Sequence, residues 1–159
     1  MADSIYIETT IPSLYVGRPS PRIVEAARQQ LTRTWWDEHR HDFELVCSQT
    51  VLDECSRGEA DMAEERLNLL SDVPLLELTS EILTIAEELV GQQIIPIKAA
   101  DDALHIASAS VHRVDYLLTW NCKHIANPRN RPRIRRCLTA FGYEPTIICT
   151  PEDFIGDED

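Results

Sequence analysis

Apolar residues in this chain follow two rhythms. Ile5–Ile7, Phe43–Cys47, Leu75–Leu78, Tyr116–Trp120 and Thr146–Cys149 are short, nearly uninterrupted apolar runs, which predict strands buried on both faces. Between them the spacing turns helical. Ile23, Ala27, Leu31 and Trp35 predict a helix over 22–41, and Ile82, Ile85, Ala86 and Leu89 share one face of another over 81–92. Val51, Leu52 and Cys55 suit a short helix that Ser48 can cap and Gly58 can end. Further helices are predicted over 60–70, 100–112 and 132–141. Thr9–Ser13 reads as a turn with Pro12 near a helix start, and Thr79 and Ser80 as caps.

Strands alternating with helices predict one domain, 1–159, of the α/β class. The expected architecture is a three-layer α/β/α sandwich around a central, mostly parallel sheet of about five strands. In such sheets, sites gather at the carboxyl ends of the strands. Four polar residues stand near such places: Glu8 after Ile5–Ile7, Glu54 after Thr50–Asp53, Asp102 after an apolar connection, and Asn121 after Tyr116–Trp120.

Oxygen ligands delivered from several elements suit a hard cation such as Mg²⁺, and such a cation suits phosphodiester chemistry. Thr9, Thr10 and Ser13 surround Glu8 with hydroxyls that can bind phosphate, orient water or cap the next helix. One of Asp101 and Asp102 can cap its helix while the other faces the site. His105 shares their side of that helix, as a ligand, a proton carrier or a hydrogen-bonded histidine at the core edge. Thr119 can offer a hydroxyl, and Lys123 and His124 can meet a phosphate. Trp35 reads as core, which leaves Trp36 partly exposed as a surface contact.

Charge adds a second side to the picture. The net charge of −12 argues against a polyanion partner. Yet Tyr116–Tyr143 holds no Asp or Glu while carrying Lys123, Arg129, Arg131, Arg133, Arg135 and Arg136. That stretch is either a phosphate-tracking surface or a solvated helix face. The five cysteines are odd in number and form no CxxC pair, so they predict free thiols. No apolar run approaches the ~20 residues of a membrane span, and no leader pattern opens the sequence, so a cytoplasmic location is expected.

Ile5-Tyr6-Ile7-Glu8-Thr9-Thr10-Ile11-Pro12-Ser13, Ser48–Glu54, Asp102–Ala109 and Leu118–Asn121 together resemble the PIN-domain family of metal-dependent ribonucleases. The likeness is nearest to the VapC-type toxins of toxin–antitoxin pairs. The resemblance implies an α/β/α fold and an acidic site for Mg²⁺ or Mn²⁺. Glu8, Glu54 and Asp102 would be its metal-binding acids, and Asn121 would stand in the fourth catalytic position. It also implies an RNA substrate, an antitoxin partner and a homodimer. Glu8 departs from the usual Asp, and neutral Asn121 from the usual acid. Those departures raise an alternative: a catalytically weak or inactive PIN-like module that binds RNA or protein. A nuclease acting on structured DNA is the other rival.

Overall fold

In the computed structural model, which describes residues 1–156, five parallel strands form one sheet. They are β1 Asp3–Ile7, β2 Phe43–Ser48, β3 Leu75–Leu76, β4 Tyr116–Leu118 and β5 Ile147–Cys149, in the order β3-β2-β1-β4-β5. Pairing runs Ile5 against Leu45 on one side of β1 and against Tyr116 on the other. Seven α-helices connect them among the described residues: α1 Thr10–Val16, α2 Ile23–Thr34, α3 Gln49–Cys55, α4 Ala60–Leu69, α5 Ser80–Gly91, α6 Ala100–Val111 and α7 Arg131–Ala140. The α/β expectation holds, and the sheet is parallel throughout.

Strand order places the site. The chain winds from β1 out to β3, then returns to build β4 and β5 on the other side of β1. Right-handed crossovers therefore put the helices of the two halves on opposite faces. The order reverses between β1 and β4, and the crevice outside their carboxyl ends is where such sheets bind ligands. Glu8 leaves β1 and Thr119 leaves β4 at this crevice, with Glu8 N–H donating to the Leu118 carbonyl at 3.2 Å.

Ile5, Ile7, Leu117 and Leu118 are fully buried, as runs covered on both faces must be. Four local expectations change. Thr9–Ser13 is no turn, because α1 already begins at Thr10 with Pro12 in its first turn. The single helix over 22–41 ends at Thr34, and a π-helical turn, Trp35–His39, and a 3₁₀ turn, Arg40–Asp42, complete it. Both tryptophans lie inside at that turn; Trp36 is only 2% exposed and offers no surface contact. Ser48 stands at the start of α3 without capping it. Thr79 does cap, accepting from Ile82 N at 3.3 Å. No described helix is long and apolar enough to cross a membrane.

Candidate active site

Three carboxylates reach the carboxyl end of the sheet, each from a different element. Glu8 follows β1 and is 2% exposed, Asp102 lies in the first turn of α6 at 8%, and Glu54 sits half-buried on α3. Each is held in the same manner. Glu8 Oε1 accepts from Thr119 Oγ1 at 2.6 Å, from Thr10 N at 3.1 Å and from the Thr10 hydroxyl. Glu54 Oε1 accepts from Thr9 Oγ1 at 2.7 Å and pairs with His105 Nε2 at 2.5 Å. Asp102 Oδ2 accepts from Asn121 Nδ2 and pairs with His124 Nδ1, both at 2.9 Å. Among the described residues, all protein partners of each acid converge on one oxygen. Among the described residues, the buried side-chain polar atoms without a partner are Trp35 Nε1 and Thr146 Oγ1, so the second carboxylate oxygens are not sealed off.

Electrostatics at this end follow from burial and from the enclosed imidazole of His105. Burial holds the Glu8 carboxyl above its usual range, although His105, Thr10 and Thr119 pull it down. Burial also pushes on Glu54, but the bonds and charge of His105, with Thr9 and Arg57, leave it below its usual range. Burial would lower the fully enclosed His105, yet its bond to Glu54 and the charges of Glu8, Glu54 and Asp102 leave it raised. His105 thus lies in the combined field of all three acids.

The other expected residues fall around this centre. Asp102 turns toward Asn121 and His124, while Asp101 faces away and lies 3.4 Å from Arg57. Neither caps α6, where Ala99 holds the cap position. Asn121 donates its amide to Asp102 and accepts from His124 N at 3.0 Å through its own oxygen. Asn121 therefore braces an acid and gives its oxygen to the loop. Thr119 is fully buried, with its hydroxyl spent on Glu8. Thr9 is spent on Glu54.

Ser13 lies farther out, in a groove of about 440 Å³ shared with Thr10, Arg28 and Trp120. Arg28 covers the Trp120 ring at 5.2 Å, so no tryptophan presents an open face for stacking. Lys123 is exposed on the loop after β4. Topology puts the start of α7 at the same end of the sheet, so the basic stretch begins beside the acids. Lys123, Arg129, Arg131, Arg135 and Arg136 are all exposed.

Sequence reasoning missed Tyr6 and misassigned Ser48. Tyr6 OH lies 2.7 Å from His105 Nδ1 and 2.6 Å from Ser48 Oγ, all inside the core. The available signal was a hydroxyl-bearing side chain in an otherwise aliphatic strand, since a buried Tyr O–H needs a partner.

The donor set fits a hard divalent cation in chemistry: three carboxylates, each braced through one oxygen, with the other left over. Among the described residues, no three His, Cys, Asp or Glu side chains stand close enough to enclose an ion as they are.

No family model matches the sequence, and no curated protein matches it. The fold does have a solved counterpart. A chain in the crystal structure of VapBC2 from Rickettsia felis bound to a DNA fragment from its promoter superposes with a TM-score of 0.54 at 15% identity. The match covers 92% of this chain and 98% of that one. The shared fold is PIN-like, as the sequence motifs led one to expect.

Proposed function

We propose that this protein is a metal-dependent endoribonuclease that hydrolyses RNA phosphodiester bonds, and the toxin of a toxin–antitoxin pair. The observation that carries the reading is the one-sided bracing of Glu8, Glu54 and Asp102 at the sheet's switch point. Bracing of this kind orients carboxylates for a metal. Glu8, Glu54 and Asp102 would hold Mg²⁺ or Mn²⁺ through their second oxygens. The ion would polarise the scissile phosphate and lower the pKa of its water.

The residues themselves do the rest. Thr10 and Thr119 keep Glu8 an acceptor inside the core. Asn121 and His124 fix Asp102. An acid of the cluster, or a second ion, would orient the water for in-line attack. Lys123 and the arginines leading into α7 bind flanking phosphates. The acidic remainder, 27 acids in all, suits a basic antitoxin segment. The Rickettsia neighbour is itself a two-component complex on promoter DNA.

The test is cleavage of total RNA by wild type, by wild type with EDTA, and by Asp102→Asn. Cleavage only by the first is expected. A metal-loaded wild type that cuts no RNA, alone or freed from its partner, would sink the proposal. A second reading, a PIN-like binding module with little or no catalysis, is favoured by Asn121, whose oxygen is engaged by His124 N. Calorimetry with Mn²⁺ separates the two, because an abandoned site binds no better than a pair of surface acids.

A further inference from the structure

We propose that His105 is a positioning residue for Glu54, held by a buried chain of hydroxyls that begins at Ser48 and Tyr6. The proposal rests on the metal-site reading above and assigns a role to residues which that reading does not use.

The chain is continuous through the core. Ser48 Oγ lies 2.6 Å from Tyr6 OH, Tyr6 OH lies 2.7 Å from His105 Nδ1, and His105 Nε2 lies 2.5 Å from Glu54 Oε1. Ser48, Tyr6 and His105 are each at most 3% exposed. Directionality is forced by its end. The carboxylate only accepts, so Nε2–H donates to Glu54. With neutral imidazole, Nδ1 accepts from Tyr6, and Tyr6 accepts from Ser48. With imidazolium, Nδ1–H donates to Tyr6, which donates to Ser48. The bond to Glu54 is the same in both arrangements, so the brace does not depend on the ring's protonation.

Ser48 supplies an independent sign that the chain is built for something. It occupies the cap position of α3, where its hydroxyl would ordinarily accept from the helix N-terminus, and it makes no such bond. A cap of that kind contributes about 1 kcal/mol. The hydroxyl goes to Tyr6 instead, and α3 is the helix that carries Glu54. The same segment thus anchors both ends of the relay. Thr9 reaches the same Oε1 from the other side, so two donors fix that oxygen and leave Oε2 for a ligand.

Two amide substitutions separate positioning from packing. A glutamine amide extends to the place of Nε2, so His105→Gln retains a donor to Glu54 and loses the partner of Tyr6. An asparagine amide reaches only to the place of Nδ1, so His105→Asn keeps Tyr6 and releases Glu54. Asparagine leaves the larger gap, by one methylene, so each affinity is read beside that variant's own melting temperature. The readouts are Mn²⁺ affinity by calorimetry, thermal melting of the metal-free protein, and kcat and KM on an RNA oligonucleotide. We expect both variants to melt lower, His105→Asn the more so because of its larger gap. His105→Asn should bind Mn²⁺ about 10–100-fold more weakly, the usual effect of removing a partner of a metal ligand. His105→Gln should recover most of that affinity. In cleavage, kcat should fall for His105→Asn while KM holds.

If neither variant folds, Tyr6→Phe carries the test, since it removes one oxygen and leaves the ring. It should weaken Mn²⁺ binding several-fold, and unchanged affinity overturns the proposal. Wild-type affinity in His105→Asn, or losses in both variants that track their melting temperatures, overturns it too. A wild type that binds no Mn²⁺ overturns this proposal together with the metal-site reading, whereas binding that ignores His105 overturns this one alone.

Discussion

Replacing Asn121 with aspartate restores the acid that the resemblance led one to expect, and its cost can be worked out. Asn121 Nδ2 donates to Asp102 Oδ2 at 2.9 Å, and His124 Nδ1 contacts the same oxygen. A carboxylate oxygen at that distance turns attraction into repulsion of about 6 kcal/mol at an effective dielectric near 20. Protonating the introduced group instead costs about 4 kcal/mol at pH 7, from a reference pKa near 3.9. The cheaper route sets the limit, so Asn121→Asp should destabilise the metal-free protein by up to about 4 kcal/mol. That is a drop of roughly 10 °C in Tm for a chain of this size. At pH 5 the protonation route costs only about 1.5 kcal/mol, so most of the drop should vanish.

Mn²⁺ should also reverse it. An ion at about 100 times its Kd contributes about 2.7 kcal/mol through binding alone, and the added acid should tighten that binding. The assay is thermal melting followed by circular dichroism, at pH 7 and pH 5, with and without Mn²⁺. Two results refute the reasoning: a metal-free Tm equal to wild type at pH 7, or a lowered Tm that neither acid nor Mn²⁺ restores. The first would mean that Asn121 and Asp102 are not in contact. The second would mean that the loss has nothing to do with paired charges.

Other expectations follow from the same contacts. Thr119→Val removes a bond to the Glu8 carboxylate and the acceptor of Asn121 N–H, so urea unfolding should show a loss of about 2–3 kcal/mol, and a smaller one in a Glu8→Gln background. Glu54 is lowered, so its contribution is lost as pH falls through its folded value. His105 and Glu8 are raised, so theirs are lost as pH rises. The metal-free urea midpoint should therefore peak in mild acid, about pH 5–6, and decline toward pH 8, with His105→Gln flattening the decline. A midpoint that climbs steadily from pH 6 to pH 8 would contradict this. Burial pushes the Cys47 thiol up to about 11 and those of Cys55 and Cys149 to about 12, while Cys122 is exposed. A thiol reagent at pH 8 should modify one cysteine in the native protein and all five in denaturant.

Strand positions were legible because each run had to be apolar on both faces, and a local count of such residues suffices. The ends were less so: β4 stops at Leu118, since Thr119 and Trp120 turn away to meet Glu8 and Thr10. Trp36 was misread because helical spacing puts adjacent residues about 100° apart, yet both tryptophans are buried where the helix turns π-helical. Ser48 was misread because capping is a local rule, whereas its partner Tyr6 lies 42 residues away. Glu8, Glu54 and Asp102 were readable as acids beside apolar runs. Which oxygen of each is gripped was not, because Thr119 is 111 residues from Glu8 and Asn121 is 19 from Asp102.

Those separations have a consequence in time. β1 is the middle strand, yet both its neighbours arrive later, and Glu8 finds its Thr119 partner only across a gap of 111 residues. A ribosome adding about 5–20 residues per second needs roughly 6–20 s to cover that distance. During this interval the first acid has been made, but the strand that completes its surroundings does not yet exist. Any activity of the site is thus withheld from nascent chains by the order of the strands alone.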